Sequence, residues 1–359
     1  MMRQSHKSTT SLWWSLFKSD GPGLPVAIAA AFGLCFAVVL PAYSGPDEIG
    51  HVAYVAALAQ GHLPLAPSQA IADIHTGTTW QAQHPPLFYL LATPFYLACG
   101  QNPTIGLYVL RCLCVAALMV TVWMVHRLAT QLLPAPAARP AALFAATHPV
   151  LVYVSAMANN EALAVTLAVA CVWAATQAHP APQSRRWLLL TAALGGLGLL
   201  TKLTAIAGVI AAAAIVGQGQ PLRKRVARAT LVLAGAIAFW LPWGLWMYHL
   251  HGAFIPSPIQ RPTFVGGLGA LFLYPGDALR VAGITAAEFF IGFIAPYWLS
   301  QSRYLYYYVM GGCGFDCLVH SYLFLGCGWL LAALAFWRAW THRPLRFFPL
   351  CIFSLYGLV

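Results

Sequence analysis

Charge is what this sequence has least of. Only 8% of its 359 residues are Asp, Glu, Lys or Arg, against about 25% in a soluble domain. Hydrophobic residues make up 60%, more than a water-soluble core of this size can hide, so most of the surface is solvated by lipid. Acids are scarcest, with 8 Asp and Glu against 19 Lys and Arg and a formal charge of +11. That excess does not describe a nucleic-acid binder. The basic residues form no stripe and stand between apolar runs, where short basic clusters report orientation. No phosphate-cradling loop is present either. Gly195, Gly196 and Gly198 in GGLGLL follow no strand and read as small residues for close helix packing. There is no internal repeat and no evident cleavable leader. Met1 to Lys18 is basic, but the next apolar run is long enough to anchor the chain. The 9 cysteines fall mostly inside apolar runs, as small hydrophobes do. Cys313 and Cys317, in GGCGFDC, are the pair placed to form a disulfide in a loop.

What is present is a series of apolar stretches of crossing length, about 20 residues each. They run at about 24–43, 105–126, 140–157, 161–178, 187–200, 203–217, 229–249, 318–338 and 345–359. The sequence therefore predicts an all-α polytopic transmembrane bundle of about nine spans. The short runs 187–200 and 203–217, separated by Lys202, are expected to form a tight hairpin that does not fully cross. Pro86 to Cys99 reads as a re-entrant or interfacial helix, and 265–300 as a segment along the membrane surface. With residues 1–23 as a cytoplasmic N-terminus and 24–359 as the membrane domain, alternating spans put 14 of the 19 Lys and Arg residues on the cytoplasmic side. Of the acids, Asp20 is inside, while Asp47, Glu48, Asp73, Glu161, Asp277, Glu288 and Asp316 fall outside. The carboxylates available for chemistry thus share one side, with outer segments at 44–104 and 250–317. The chain closes inside the apolar run RFFPLCIFSLYGLV, which reads as a shortened C-terminus.

Between Lys18 and Arg111 there is no Lys or Arg at all. Into this gap fall Asp47, Glu48, Asp73, His51, His62, His75 and His84. In SGPDEIGHVAYVAALAQGHLP, Ser44 and Pro46 suit a helix start, the two acids complement its dipole, and Gly61 with Pro64 end it. Asp47, His51 and Tyr54 then share one face of an amphipathic surface helix. Adjacent carboxylates at a membrane edge repel each other, and one of such a pair suits a general base. They also suit simple helix capping, and both readings stay open. The four histidines show no ligand-like spacing, although the Asp and His set leaves a divalent metal open. No cofactor is called for with certainty. His84 stands just ahead of the paired prolines of QHPPLFYLL.

PDEIGH, QHPPLFYLL, MANNEALAV and the Leu-Thr-Lys of GLGLLTKLTA occur in this order. The ordered set resembles the polytopic glycosyltransferases of the GT-C fold that use a polyprenyl-phosphate-linked sugar, in the grouping of protein O-mannosyltransferases and aminoarabinose transferases. The resemblance covers roughly residues 24–250. It implies inverting transfer at the outer face, with Asp47 as the first-loop acid that deprotonates or orients the acceptor and Glu48 as its neighbour. An acceptor hydroxyl is a poor nucleophile and a prenyl phosphate a good leaving group, so a base is needed more than an acid. Lys202 is the first candidate partner of the leaving phosphate and Arg111 the second, ahead of Arg261, Arg280 and Arg303. His84 is a candidate for contact with the donor phosphate or sugar, and His51 and Tyr54 are candidates for substrate binding. Asn159, Asn160 and Glu161 either line the sugar pocket or cap a helix.

The expected partners are a polyprenyl-phosphate-sugar donor, membrane lipids and a lipid, glycan or protein acceptor, with no nucleic acid. The expected location is a bacterial inner membrane. A transporter or flippase would use the same charges, but they sit at span ends and follow no path through the midplane. An inactive remnant that serves only in assembly is the third reading.

Overall fold

A computed structural model describes residues 21–45, 47–64, 72–134, 137–178 and 184–254. The expected spans at 318–338 and 345–359, the segment 265–300, Cys313 and Cys317 lie outside the described residues. Within them the architecture is all-helical, with an isolated antiparallel bridge between Asp73 and Thr78.

Helix α1 is Gly23–Val39, α2 is Glu48–Ala59 and α3 is Leu87–Ala98. A 3-10 turn, Trp80–Gln83, leads into α3. Next come α4 (Pro103–Leu132), α5 (Ala138–Thr147), α6 (Pro149–Ser155) and α7 (Glu161–Ala178). Helices α8 (Arg185–Thr201), α9 (Ile206–Val216) and α10 (Leu222–His251) complete the described set.

The longest helices have clear local causes. Helix α4 starts where Asn102 accepts hydrogen bonds from the backbone N–H of Thr104 and Ile105, both at 3.0 Å, with Pro103 at the first helical position. Its 30 residues span about 45 Å, more than the hydrocarbon thickness. Helix α10 follows Pro221 and ends on Gly252, whose φ of 69° satisfies a left-handed C-terminal cap.

Three helices among the described residues, α4, α7 and α10, are long and apolar enough to cross a bilayer. With the composition, they make this an integral membrane protein. Helix α1 has 17 residues. The run 140–157 is not one helix: Pro149 holds His148 in extended backbone (ψ 115°) and splits it into α5 and α6. The runs around Lys202 form two separate helices, α8 and α9, joined by a 3-10 turn at Leu203–Ala205.

Helix α4 is the common wall of three apolar clusters. Leu118 and Val122 meet Ala29 of α1 and Ala142 of α5. Leu128 joins the cluster built from α7, α8, α9 and α10. Leu107, Leu110 and Cys114 close the cluster of α2 and α3. Side chains such as Phe32, Val38, Leu189, Phe239 and Trp246 face outward, as lipid-facing residues do.

Candidate active site

The site grows from the turn between α1 and α2. Asp47 precedes α2 with φ 61°, in the left-handed region that Asp tolerates better than most residues. Its side chain makes no capping hydrogen bond to the helix. Instead the carboxylate is exposed and accepts a hydrogen bond from the Trp80 indole Nε1 at 3.1 Å. The capping reading therefore does not describe Asp47.

Glu48, its neighbour in sequence, is turned the opposite way. Oε1 accepts from Arg111 Nε at 2.8 Å and from the Ala158 backbone N–H at 2.9 Å. Oε2 accepts from Arg111 NH2 at 2.7 Å and from the Gly45 backbone N–H at 3.1 Å. Arg111 gives its remaining donors to the carbonyls of Ala37, Leu40 and Pro41 at 2.7–2.9 Å. A guanidinium has five N–H groups, and these contacts engage all of them. The pair thus ties the end of α1, the start of α2, the first third of α4 and the backbone before α7. Gly45 is required there, since a Cβ would lie 2.5 Å from Met157 Sδ and 2.8 Å from Glu48 Cδ. Two sequence expectations lose their physical basis in this knot. Arg111 has no donor left for a phosphate, and Glu48 has no oxygen free for an acceptor proton.

Helix α2 is not the amphipathic surface helix the sequence suggests, because its residues from Gly50 to Ala57 are buried. Helix α3, the 3-10 turn and α4 enclose it, and Gly50 permits the closest approach. A Cβ at residue 50 would lie 3.0 Å from Thr79 Oγ1 and 3.2 Å from the Trp80 ring. Thr79 Oγ1 donates to the Gly50 carbonyl at 2.9 Å.

On the inner side of α2, His51 Nδ1 and the Tyr89 hydroxyl are hydrogen-bonded at 2.9 Å, and the two rings stack at 5.8 Å. His84 stacks on His51 at 6.3 Å. The Tyr54 hydroxyl donates to the His84 carbonyl at 3.2 Å. Burial, then the charge of Lys202, pushes His84 down to about 3. Burial pushes His51 well below the usual imidazole range, with further lowering from His84 and Lys202. Both imidazoles are therefore neutral at ordinary pH. Burial raises Tyr89, followed by Tyr54 and the negative charges of Glu161 and Asp47. Asp47, Glu161 and Lys202 thus all act on one small group of rings.

Lys202 stands in extended backbone just after α8 and forms an ion pair with Glu161, the first residue of α7. The two side chains are 20% and 23% exposed, so the ammonium keeps donors free toward the surface. Asn159 is a cap: its Oδ1 accepts from the backbone N–H of Glu161 at 2.9 Å and of Ala162 at 3.4 Å. Asn160 is fully buried and donates from Nδ2 to the Thr201 carbonyl at 3.2 Å. That bond holds the start of α7 against the end of α8.

Of the residues singled out in the sequence, His51 and Tyr54 contact Tyr89, and His84 stacks on His51. Glu161 and Asp47 act on Tyr89 through their charge, as Lys202 does on the two histidines. Glu48 and Arg111 form the buried knot beneath, and Asn159 and Asn160 fix the backbone that carries Glu161. His62 and His75 are exposed on the far end of α2, bonded to or near Gln60. No three His, Cys, Asp or Glu side chains among the described residues stand within reach of one ion. Sequence reasoning missed Trp80 and Tyr89. Tyr89 lies inside the quoted QHPPLFYLL motif, but Trp80 is 33 residues from Asp47 and nothing in the sequence joins them.

Residues 83–246 match the dolichyl-phosphate-mannose-protein mannosyltransferase family, which agrees with the resemblance drawn from the motifs. The matched stretch includes His84, Arg111, Glu161 and Lys202 and begins after Asp47 and Glu48. No curated protein matches the chain, and no solved structure matches it.

Proposed function

We propose that this protein is a glycosyltransferase of the GT-C type. It moves one sugar from a polyprenyl-phosphate carrier to an acceptor at the outer face of the membrane. The observation that carries this reading is the division of labour between adjacent acids. Asp47 is exposed, free of helix capping and held by one indole N–H, whereas Glu48 is locked in a buried ion pair. A general base needs an oxygen that can reach a substrate proton, and Asp47 alone of the two offers one.

In the proposed step the acceptor oxygen gives its proton to Asp47 and bonds to the anomeric carbon. The bond from that carbon to the phosphate oxygen breaks, its electron pair leaves on the prenyl phosphate, and the anomeric centre inverts. Lys202 stabilises the charge that develops on the phosphate. Neutral His51 and His84 line the donor side without competing for that phosphate as cations. Glu161 orients Lys202 through their ion pair. Glu48 and Arg111 are positioning residues that fix the start of α2 against α1 and α4.

A direct test incubates the purified protein in detergent with a lipid extract from its source membranes and follows carrier lipids by mass spectrometry. The reading expects prenyl-phosphate-sugars to be consumed and free prenyl phosphate to appear when acceptors are present. If no carrier is consumed, a transporter or an assembly role becomes the better account.

A further inference from the structure

We propose that Trp80 is the residue that positions Asp47, so that the 3-10 turn Trp80–Gln83 sets the base against the donor side of the site. This rests on the reading of Asp47 as the base. Asp47 lies in the left-handed region and makes no bond to the helix it precedes. Its carboxylate would otherwise turn freely, and a misplaced base loses most of its advantage. The Trp80 indole donates to Oδ1 at 3.1 Å, which leaves Oδ2 for a substrate proton.

The turn that carries the indole is itself held at both ends by α2. At the front, Thr79 bonds the Gly50 carbonyl and also caps the turn by accepting from Gln81 N at 3.0 Å. At the back, the Tyr54 hydroxyl holds the His84 carbonyl. The indole rests against Gly50, where a side chain would press on it. The same bracket of six residues therefore fixes Trp80 on Asp47 and His84 on His51. An indole N–H is a donor only, so it orients a carboxylate and cannot take the proton in its place.

Trp80→Phe keeps the ring packing and removes the donor. With polyprenyl-phosphate mannose as donor and an acceptor found active with the wild type, kcat should fall roughly 10- to 100-fold while the donor KM stays within about twofold. In an Asp47→Ala background the same change should have no further effect, the signature of action through Asp47. Equal losses in both backgrounds, an unchanged kcat, or a loss confined to KM would overturn the proposal. Should the Phe variant fail to fold, benzothienylalanine at position 80 replaces N–H by sulfur at nearly constant shape, and its kcat decides. The contact is also read without turnover. The indole 1H–15N resonance that disappears in Trp80→Phe should shift in Asp47→Ala, and an unmoved resonance contradicts the contact. Failure of the transferase reading is distinct from all of these, because the wild type itself would then transfer nothing.

Discussion

Arg111 closes on Glu48 through two parallel hydrogen bonds, at 2.8 and 2.7 Å, with both side chains at 0% exposure. This forked pair is 63 residues apart in sequence and joins the first described helix to the backbone that precedes α7. Buried pairs of this kind add little net stability over apolar packing, but removing one partner strands a charge at a cost of about 3–5 kcal/mol. Glu48→Ala and Arg111→Ala should each lower the thermal midpoint in detergent sharply and remove activity with it. Arg111→Lys should behave like the alanine variant, because an ammonium cannot reproduce the fork or reach three carbonyls. A normal melting curve for any of the three would contradict the assigned role.

Asp47 should behave in the opposite way. Asn occupies the left-handed region as readily as Asp, and the side chain caps nothing. Asp47→Asn is expected to shift stability by no more than about 0.5 kcal/mol, as read by thermal unfolding of the purified protein. A loss comparable to that of Glu48→Ala would make Asp47 a structural residue.

Lys202 and Glu161 keep 20% and 23% of their side-chain surface exposed. Their ion pair therefore lies between a surface pair, worth at most about 1 kcal/mol, and a fully buried one, whose broken partner costs about 3–5 kcal/mol. Lys202→Gln keeps an amide donor for Glu161 and should fold with a modest loss of stability, smaller than that of Glu48→Ala. It should raise the donor KM and lower kcat/KM by about 10²-fold or more, since the leaving phosphate loses its counter-charge. Glu161→Gln should cost less, because the ammonium remains. Kinetics with the lipid-linked donor distinguish the two.

Asn159 is a test of the capping reading. Asn159→Ala should destabilise the protein by about 0.5–2 kcal/mol through the lost cap. Asn159→Asp can still cap but cannot donate to the Val154 carbonyl, as the Asn Nδ2 does at 2.7 Å, so it should recover only part of the loss. A large kinetic effect at full stability would instead make Asn159 a substrate contact.

Acid should weaken the fold through His51 and His84. Both have native values below the unfolded value of about 6.5, with His84 at about 3. The unfolded chain then binds more protons than the native one below about pH 6.5, so stability is intact above that value and falls as pH drops toward 3. Each imidazole adds a slope of up to about 1.4 kcal/mol per pH unit, less for His84 because part of it meets solvent. Melting temperatures between pH 7 and pH 4 should decline, and His51→Gln should flatten the decline.

Much of this was legible in the sequence because it rests on local signals. Apolar runs predicted α4, α7 and α10, the paired prolines predicted α3, and Lys202 correctly marked a break between two short helices. His51 and Tyr54 both meet Tyr89, whereas Asp47 precedes the helix in left-handed backbone and bonds Trp80 instead. What the sequence could not reveal are long-range polar contacts. Arg111 reads as a free cation at a span end, and only the three-dimensional fold brings Glu48 and three carbonyls to its donors. Helix α2 shows charged and histidine residues that suggest a wet face, yet the turn at residues 79–84 covers that face. The break at His148 was readable from Pro149, but the apolar run on both sides concealed it.

The central claim is that Asp47 takes the acceptor proton, and the most direct measurement separates donor binding from transfer. Wild type and Asp47→Asn would be loaded with the same polyprenyl-phosphate mannose, and bound donor and released prenyl phosphate quantified in a single turnover. The account predicts equal donor binding, an unchanged melting temperature and a loss of transfer of at least about 10²-fold in the variant. Transfer at the wild-type rate by a folded, donor-bound Asp47→Asn protein would contradict it.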